Sequence, residues 1–502
     1  MLDRESCDRA MESADARFDG VFFVGVITTS IYCRPICPAR TPKLENIDFY
    51  PTAAAAQAAG FRPCLRCRPE SSPDLAAWRG TSSTVARALA LIGEGGLDGD
   101  DADVERLALR LGIGERQLRR LFRQHLGASP IAVAQTRRVL FAKQLIHETR
   151  MSMTAIADAA GFGSVRRFNA TFRGLYGRPP SELRRLADVA AGARDAVAAI
   201  TLRLSYVPPY DWEAMIAFLA GRAIAGVEIV APRCYRRTIG IDGAYGTIEV
   251  APIAGRHALA ATIRFPNVRA LPTIVGRIRR VFDLGADVAA IDAQLAHDPH
   301  LGRLIAARPG LRVPGAWDGF ELAVRAVLGQ QITVGAARKL AGKLVAAHGE
   351  SLPAGLAVTG LTHVFPTPAC LVSAPLAALG MPRARAATLA ALAARAEADP
   401  RLFERARDLD DAIGRLRALP GIGEWTAQYI AMRALREPDA FPASDVGLLR
   451  AMAAKGVRPT PDALAARAEA WRPWRAYAAQ HLWTSDGAPA IGGMRAPEEA
   501  VA

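Results

Sequence analysis

Four of the seven cysteines in this 502-residue chain are spaced for metal chemistry. Three residues lie between Cys33 and Cys37, two between Cys64 and Cys67, and 26 between the pairs. Two such knuckles bring four thiolates round one tetrahedral ion, so Cys33, Cys37, Cys64 and Cys67 are expected to hold one Zn²⁺ rather than to be four unconnected thiols. An odd cysteine count, with no apolar run in the opening MLDRESCDRAMESAD, argues against a disulfide framework and a secretion signal. The default is a cytoplasmic protein without a membrane span, and Cys7, Cys234 and Cys370 stand alone.

A second cluster lies near the other end. In LPGIGEWTAQYI, Leu419 to Ile430, Gly421 and Gly423 permit a tight hairpin between two helices. The second helix starts with unpaired amides, and these with its dipole can cradle a phosphate without reading bases. Twenty-two residues beyond Gly423, Asp445 opens another helix in FPASDVGLLRA. An aspartate there is a natural N-cap. It can also stabilise a sugar that turns cationic as its base departs, and guide the incoming water, and the two roles are compatible. Trp425, Tyr429 and Trp474 are candidates to stack on an extruded base, although aromatics on helices are more often core. GIGEWTAQ has no lysine for a Schiff base, and no cysteine follows Asp445 to hold an iron-sulfur cluster.

The elements that must position these groups read as several domains. Residues 18–30, rich in β-branched and aromatic side chains, suggest strands, and PTAAAAQAAG suggests a short helix ended by Gly60. A linker follows, with Ser82 or Ser83 available to cap the next helix. Residues 107–130 then return as 156–180: Gly112 matches Gly161, Phe122 matches Phe172, and Pro130 matches Pro180. Each copy has a short apolar-faced helix, a glycine turn and an arginine-bearing helix, which is helix-turn-helix logic. Of the net +14 carried by 63 basic and 49 acidic residues, +11 falls between Val104 and Leu186. That placement suits a nucleic-acid footprint as well as a solvated helical face. From Thr201 strand-like segments surround the helical DWEAMIAFLAGRAI, and from about Trp317 the pattern is helical.

These motifs carry a resemblance. TTSIYCRPICPAR with FRPCLRCRP resembles the metal-binding domain of the Ada adaptive-response family, and the next hundred residues resemble its AraC-type DNA-binding domain. From about residue 201, VPPYDWEAMIAFLAGRAI, AVLGQQITV, FPTP, LPGIGEWTA and WRPWRAYAAQHLW resemble the AlkA-type 3-methyladenine DNA glycosylases II, so the likeness is to an Ada–AlkA fusion. It implies a multidomain, mainly α protein in four parts. They are a zinc-stapled α/β domain (1–75), an all-α double helix-turn-helix domain (82–187), an α+β domain (201–312) and an all-α helix-hairpin-helix glycosylase domain (313–490).

The resemblance also implies roles. Cys33 would accept a methyl group once from a DNA methylphosphotriester, loosening electrostatic repulsion so that Arg40 and Arg66 hold the backbone more tightly. Asp445 would be the catalytic carboxylate, and Trp425, Tyr429 and Trp474 the base pocket. Arg119, Arg120, Arg166, Arg167, Gln330, Gln331, Gly421 and Gly423 would meet double-stranded DNA, with a monovalent cation possible at the hairpin carbonyls. A monomer that also meets RNA polymerase at promoters is expected. Two departures stand out: the O6-alkylguanine transfer domain of the Ada family is absent, and Gln331 occupies the place of the glycosylase's leucine wedge. The rival readings are a regulator whose C-terminal half binds DNA without catalysis, and a glycosylase whose N-terminal half only targets it to DNA.

Overall fold

The computed structural model describes residues 3–73, 83–98, 103–188, 199–353, 355–356, 358–453 and 456–485. Ser82, most of the linker before it and most of the connector near residues 189–198 lie outside them. The chain forms two compact units: Met1–Pro208 with Arg236–Asp287 and Glu350–Phe365, and Pro209–Tyr235 with Val288–Gly349 and Pro366–Ala502. Among the described residues no helix is long and apolar enough to cross a membrane.

The first unit begins with a small sheet of β1 (Phe23–Val26), β2 (Ile31–Cys33), β3 (Ile47–Tyr50) and β4 (Arg62–Pro63), in the order β3-β1-β2-β4. The strand expected over residues 18–30 is shorter than that, because tight 3-10 turns occupy Ala16–Phe18 and Ile27–Thr29. β2 and β4 pair in parallel with Tyr32 opposite Pro63. The next residues are Cys33, which ends β2, and Cys64, just past β4, whose amide donates to the Tyr32 carbonyl at 3.0 Å, so this register brings the two knuckles together. The helix Ala53–Ala58 follows β3 and ends as expected, with Gly60 at φ 92°.

Two helix pairs come next, Val104–Leu111 with Glu115–Leu126 and Met153–Ala159 with Val165–Tyr176, on either side of the helix Pro130–Glu148. Each pair turns at a glycine in the left-handed region, Gly112 at φ 75° and Gly161 at 78°, where a side chain would be strained. The second helix of each pair buries one stripe, Leu118, Phe122 and Leu126 or Phe168, Phe172 and Tyr176. Residues four apart share a helix face, so this stripe turns the arginines outward.

The long helix is also a seat for its neighbours. Lys143 Nζ donates to the Cys64 carbonyl at 2.8 Å and to Glu70 Oε2 at 2.7 Å, and both side chains are wholly buried. Thr136 Oγ1 donates to Gln57 Oε1 at 2.8 Å, and Gln57 Nε2 to the Tyr32 hydroxyl at 3.2 Å. The later strands are β5 (Ile200–Ser205), β6 (Glu228–Ala231), β7 (Cys234–Ile241), β8 (Ala244–Pro252) and β9 (Ala258–Arg264). Within the first unit they run β5-β9-β8-β7, with β5 at the edge. At that edge the Arg203 amide donates to Glu148 Oε2 at 2.9 Å, and its carbonyl accepts from Gln144 Nε2 at 2.8 Å. The helix thus satisfies backbone groups that an edge strand leaves open.

The segment 201–312, read as one α+β domain, divides its contacts. Its helix Trp212–Arg222 belongs to the second unit, where the half-buried Arg325 donates to the Arg222 carbonyl at 2.8 Å and pairs with Glu228 at 2.5 Å and Glu321 at 2.6 Å.

The Lys143–Glu70 pair generates a stability prediction. Lys143→Met leaves the buried Glu70 carboxylate with Arg68, 3.1 Å away, as its remaining cation, at a cost toward the lower end of about 3–5 kcal/mol. Replacing both, as Lys143→Met with Glu70→Leu, recovers most of that loss. Denaturant midpoints of the wild type and the two variants check both statements.

Candidate metal centre and candidate active site

At the N-terminal site the sulfurs of Cys33, Cys37, Cys64 and Cys67 all lie within 4.8 Å of one another. Zn–S bonds of about 2.3 Å in a tetrahedron put sulfurs about 3.8 Å apart, so the cluster is the right size. The surrounding donors fit as well. The Arg34 amide donates to Cys67 Sγ at 3.3 Å, and the Arg66 and Cys67 amides to Cys64 Sγ at 3.3 and 3.5 Å. Backbone N–H groups pointed at sulfur suit thiolates bound to a cation. The thiols also share protons: hydrogen bonds, from Cys33 first, pull Cys64 far down and bring Cys37 to about 7.

Cys64 and Cys67 are buried, whereas Cys33 and Cys37 are half-buried. Arg34 holds the first knuckle from beneath, binding the Asp19 carboxylate, the Cys67 carbonyl at 3.1 Å and Ser71 Oγ at 2.8 Å. Arg40 and Arg66 stand exposed beside the cluster in sequence.

On the helix-turn-helix pairs, Arg120, Arg166 and Arg167 are exposed. Arg119 is half-buried and bonds Glu115 on the preceding turn, at 2.7 Å from Nε. The structure adds Arg116, Arg123 and Arg173, all exposed. Arg116 and Arg123 stand as far before and after Phe122's stripe as Arg166 and Arg173 do relative to Phe172's, so the repeat itself held the signal.

In the second unit the hairpin joins the helices Leu409–Arg417 and Glu424–Ile430. Gly421 lies at φ 79°, and a Cβ there would sit 2.0 Å from Thr388 Oγ1, so only glycine fits. Gly423 N-caps the second helix with no side-chain acceptor, which leaves first-turn amides open to a ligand. Gln330 turns inward onto this hairpin, its Nε2 donating to the Gly421 carbonyl at 3.0 Å and to Thr426 Oγ1 at 3.1 Å. Gln331 is exposed at φ 56°.

Asp445 N-caps the helix Val446–Ala451, and its carboxylate accepts four N–H donors. Oδ1 takes the Gly447 amide at 2.9 Å, the Leu448 amide at 3.1 Å and Trp483 Nε1 at 2.8 Å, while Oδ2 takes Trp425 Nε1 at 2.7 Å. The Trp425 and Tyr429 rings stack with centroids 5.3 Å apart and planes 8° from parallel, and Trp483 meets Tyr429 edge-on at 6.4 Å. Trp474 is not in this group. Its Nε1 donates to Gln294 Oε1 at 3.0 Å, and its ring lies edge-on to Tyr477. Trp474 precedes the helix Arg475–Ser485, whereas Trp483 lies on it, two and a half turns along, and reaches Asp445.

Three further residues, Phe218, Arg222 and Arg433, were not singled out from the sequence. Phe218 lies between the guanidiniums of Arg222 and Arg433, at 3.7 and 4.4 Å from its ring centroid. Arg433 also donates to the Tyr429 hydroxyl at 2.7 Å. Burial alone would raise the Tyr429 phenol, but the charges of Arg433 and Arg222 outweigh it and lower it. Burial brings Arg433 itself down to about 10. Phe218 and Arg222 come from some two hundred residues upstream, a pairing that no local pattern records.

The fold and these sites define a protein in which a cysteine-zinc domain and a double helix-turn-helix precede a helix-hairpin-helix DNA glycosylase. The profile of the metal binding domain of Ada matches residues 6–70, that of a helix-turn-helix domain residues 107–186, and that of the AlkA N-terminal domain residues 201–318. Over 484 residues, 96% of each chain, the sequence is 43% identical to a Mycobacterium tuberculosis protein named "probable bifunctional transcriptional activator/DNA repair enzyme AlkA". It is 36% identical to the Escherichia coli DNA-3-methyladenine glycosylase 2 over 290 residues, 57% of this chain and 97% of that one. A solved 3-methyladenine DNA glycosylase from Archaeoglobus fulgidus shares the fold, with a TM-score of 0.51 at 23% identity over 57% of this chain and 98% of that one. The chain belongs to the family of bifunctional transcriptional activator/DNA repair enzymes AlkA, and its four-cysteine cluster is a zinc site.

The zinc site generates a metal prediction. The full chain carries one zinc per molecule by elemental analysis, and Cys64→Ser or Cys67→Ser loses it while Cys370→Ser keeps it. Chelation lowers the thermal midpoint of the N-terminal domain, because metal binding there is folding free energy.

Proposed function

We infer that this chain repairs alkylated DNA in two ways: it excises damaged bases as a monofunctional DNA-3-methyladenine glycosylase II, and it regulates transcription after methyl transfer from a methylphosphotriester to Cys33. The observation that carries the first activity is the Asp445 carboxylate, fixed by four N–H donors against the Trp425–Tyr429 stack.

In the excision reaction the C1′–N bond breaks and its electron pair leaves with the base. A base already cationic from alkylation needs little acid catalysis, so the charge to be managed is the one developing on the sugar. A carboxylate held in one orientation, as Asp445 is, can offer negative charge to that cation without reorganising during the step. Water then adds to C1′, and its proton leaves toward the carboxylate and solvent. The aromatic stack offers the extruded base a π-face, which attracts cationic rings. The hairpin glycines Gly421 and Gly423 expose backbone for a phosphate, with Gln331 at the nearby loop tip. A monovalent cation at the hairpin carbonyls belongs to the same reading.

In the transfer reaction a Cys33 S–C bond forms and the methyl C–O bond breaks. The electron pair stays on the phosphate oxygen, leaving an ordinary diester. Bound zinc keeps the sulfurs deprotonated at neutral pH. Cys33 is favoured among the four because it is half-buried and, among the described residues, its sulfur receives no backbone N–H. Amides bond Cys64 and Cys67, and the Ala39 amide bonds Cys37. A hydrogen bond stabilises thiolate charge and so blunts its attack. Methylation removes one negative charge, after which Arg40 and Arg66 hold DNA phosphates more tightly and the arginine faces of both helix pairs engage a promoter, where RNA polymerase is met.

Wild type should release bases from alkylated duplex DNA, and Asp445→Asn should release them at least 100-fold more slowly. Silence from both proteins would leave the regulator alone standing. After incubation with methylated DNA, mass spectrometry should find a methyl group on Cys33 that Cys33→Ala lacks.

A further inference from the structure

We propose that Gln330 is a positioning residue that locks the Gln331 loop tip to the glycine hairpin, so that gripping a phosphate and entering the duplex become one event. The proposal rests on the glycosylase reading of this half and assigns Gln330 away from direct DNA contact.

Three elements close on one another here. The helix Arg383–Ala398 touches both of the others. Its Thr388 packs where any side chain at Gly421 would have to stand, and its Arg385 Nη2 donates to the backbone carbonyl of Gln330 at 2.5 Å. The Gln330 side chain completes the circuit. Its amide nitrogen has two hydrogens, and it donates to the Gly421 carbonyl at 3.0 Å and to Thr426 Oγ1 at 3.1 Å. Gly421 is the turn of the hairpin, and Thr426 is buried in the first turn of the helix behind it.

The neighbouring residue behaves differently. Gln331 is exposed in the left-handed region at φ 56°, and the adjacent Ile332 is also exposed. A non-glycine residue holds that backbone conformation only where its surroundings impose it. Here the imposing contacts are those of Gln330, one residue back. With the clamp made, the distance from phosphate anchor to tip is preset. Without it, the loop must be ordered each time the duplex is opened, and that ordering cost falls on base extrusion rather than on chemistry.

The distinguishing readout is therefore the pairing state of the substrate. Gln330→Met keeps length and volume but loses both donors and adds no charge. Two duplexes each carry one N7-methylguanine, opposite cytosine in one and opposite an abasic analogue in the other, where extrusion is already eased. Relative to wild type, Gln330→Met should lose about tenfold in kcat/KM on the paired duplex and stay within about twofold on the unpaired one, with its thermal midpoint unchanged. Thr426→Val, which removes one of the two acceptors, should show the same split at about threefold and covers the case in which Gln330→Met folds poorly. Equal losses on both duplexes, or none on the paired one, overturn the proposal. Absence of base release by wild type on either duplex overturns the glycosylase reading instead.

Discussion

Both candidate sites in this protein aim N–H dipoles at anions: two sulfurs of the zinc cluster and the Asp445 carboxylate. Backbone amides of Arg34, Arg66 and Cys67 point at the cysteine sulfurs. Amides of Gly447 and Leu448 with the indoles of Trp425 and Trp483 point at Asp445. A salt bridge would neutralise the Asp445 carboxylate, whereas dipoles orient it and leave its net charge in place. Each arrangement demands that the fold deliver several donors to one point. The small sheet, the knuckle register and the helix cap exist in the service of that demand.

Cations paired with carboxylates inside the fold serve structure. Lys143 is buried against Glu70 and the carbonyl of Cys64, and the half-buried Arg325 pairs with Glu228 and Glu321. Such pairs add little net stability over apolar packing, but breaking one is costly, so they fix which elements meet. The helix Pro130–Glu148 uses this device and its polar neighbours to seat the zinc domain through Lys143 and Thr136, and the edge of β5 through Gln144 and Glu148. Arg68, one residue beyond the last zinc ligand, donates to the same Glu148 carboxylate at 3.3 Å. A change at the metal site is thus two side chains away from a strand of the following domain.

Much of the site was legible because it is local. A cysteine's spacing is a covalent fact, and two knuckles with 26 residues between them already specify a four-sulfur cluster. The helix-turn-helix repeat was readable from Gly112 and Gly161, where only a residue tolerant of positive φ can turn the chain. Asp445 could be named from its place before a helix and after the glycine hairpin. Trp474 lies on Gln294 and Tyr477 rather than on Asp445. WRPWRAYAAQHLW offers several tryptophans, and choosing among them needs the direction each ring leaves the helix Arg475–Ser485.

The sequence by itself therefore determined the chemistry: which residues can hold zinc, which turn can bare its amides, which carboxylate caps a helix, and which helices carry arginine outward. These follow from covalent spacing and from local backbone preference. Tertiary structure alone decided the partners. It brought Phe218 and Arg222 to Tyr429 and Arg433, set Trp483 against Asp445, folded Gln330 onto the hairpin and put Trp212–Arg222 in the second unit. Those outcomes depend on burying apolar faces and satisfying polar groups across hundreds of residues, and no short window of sequence contains that competition.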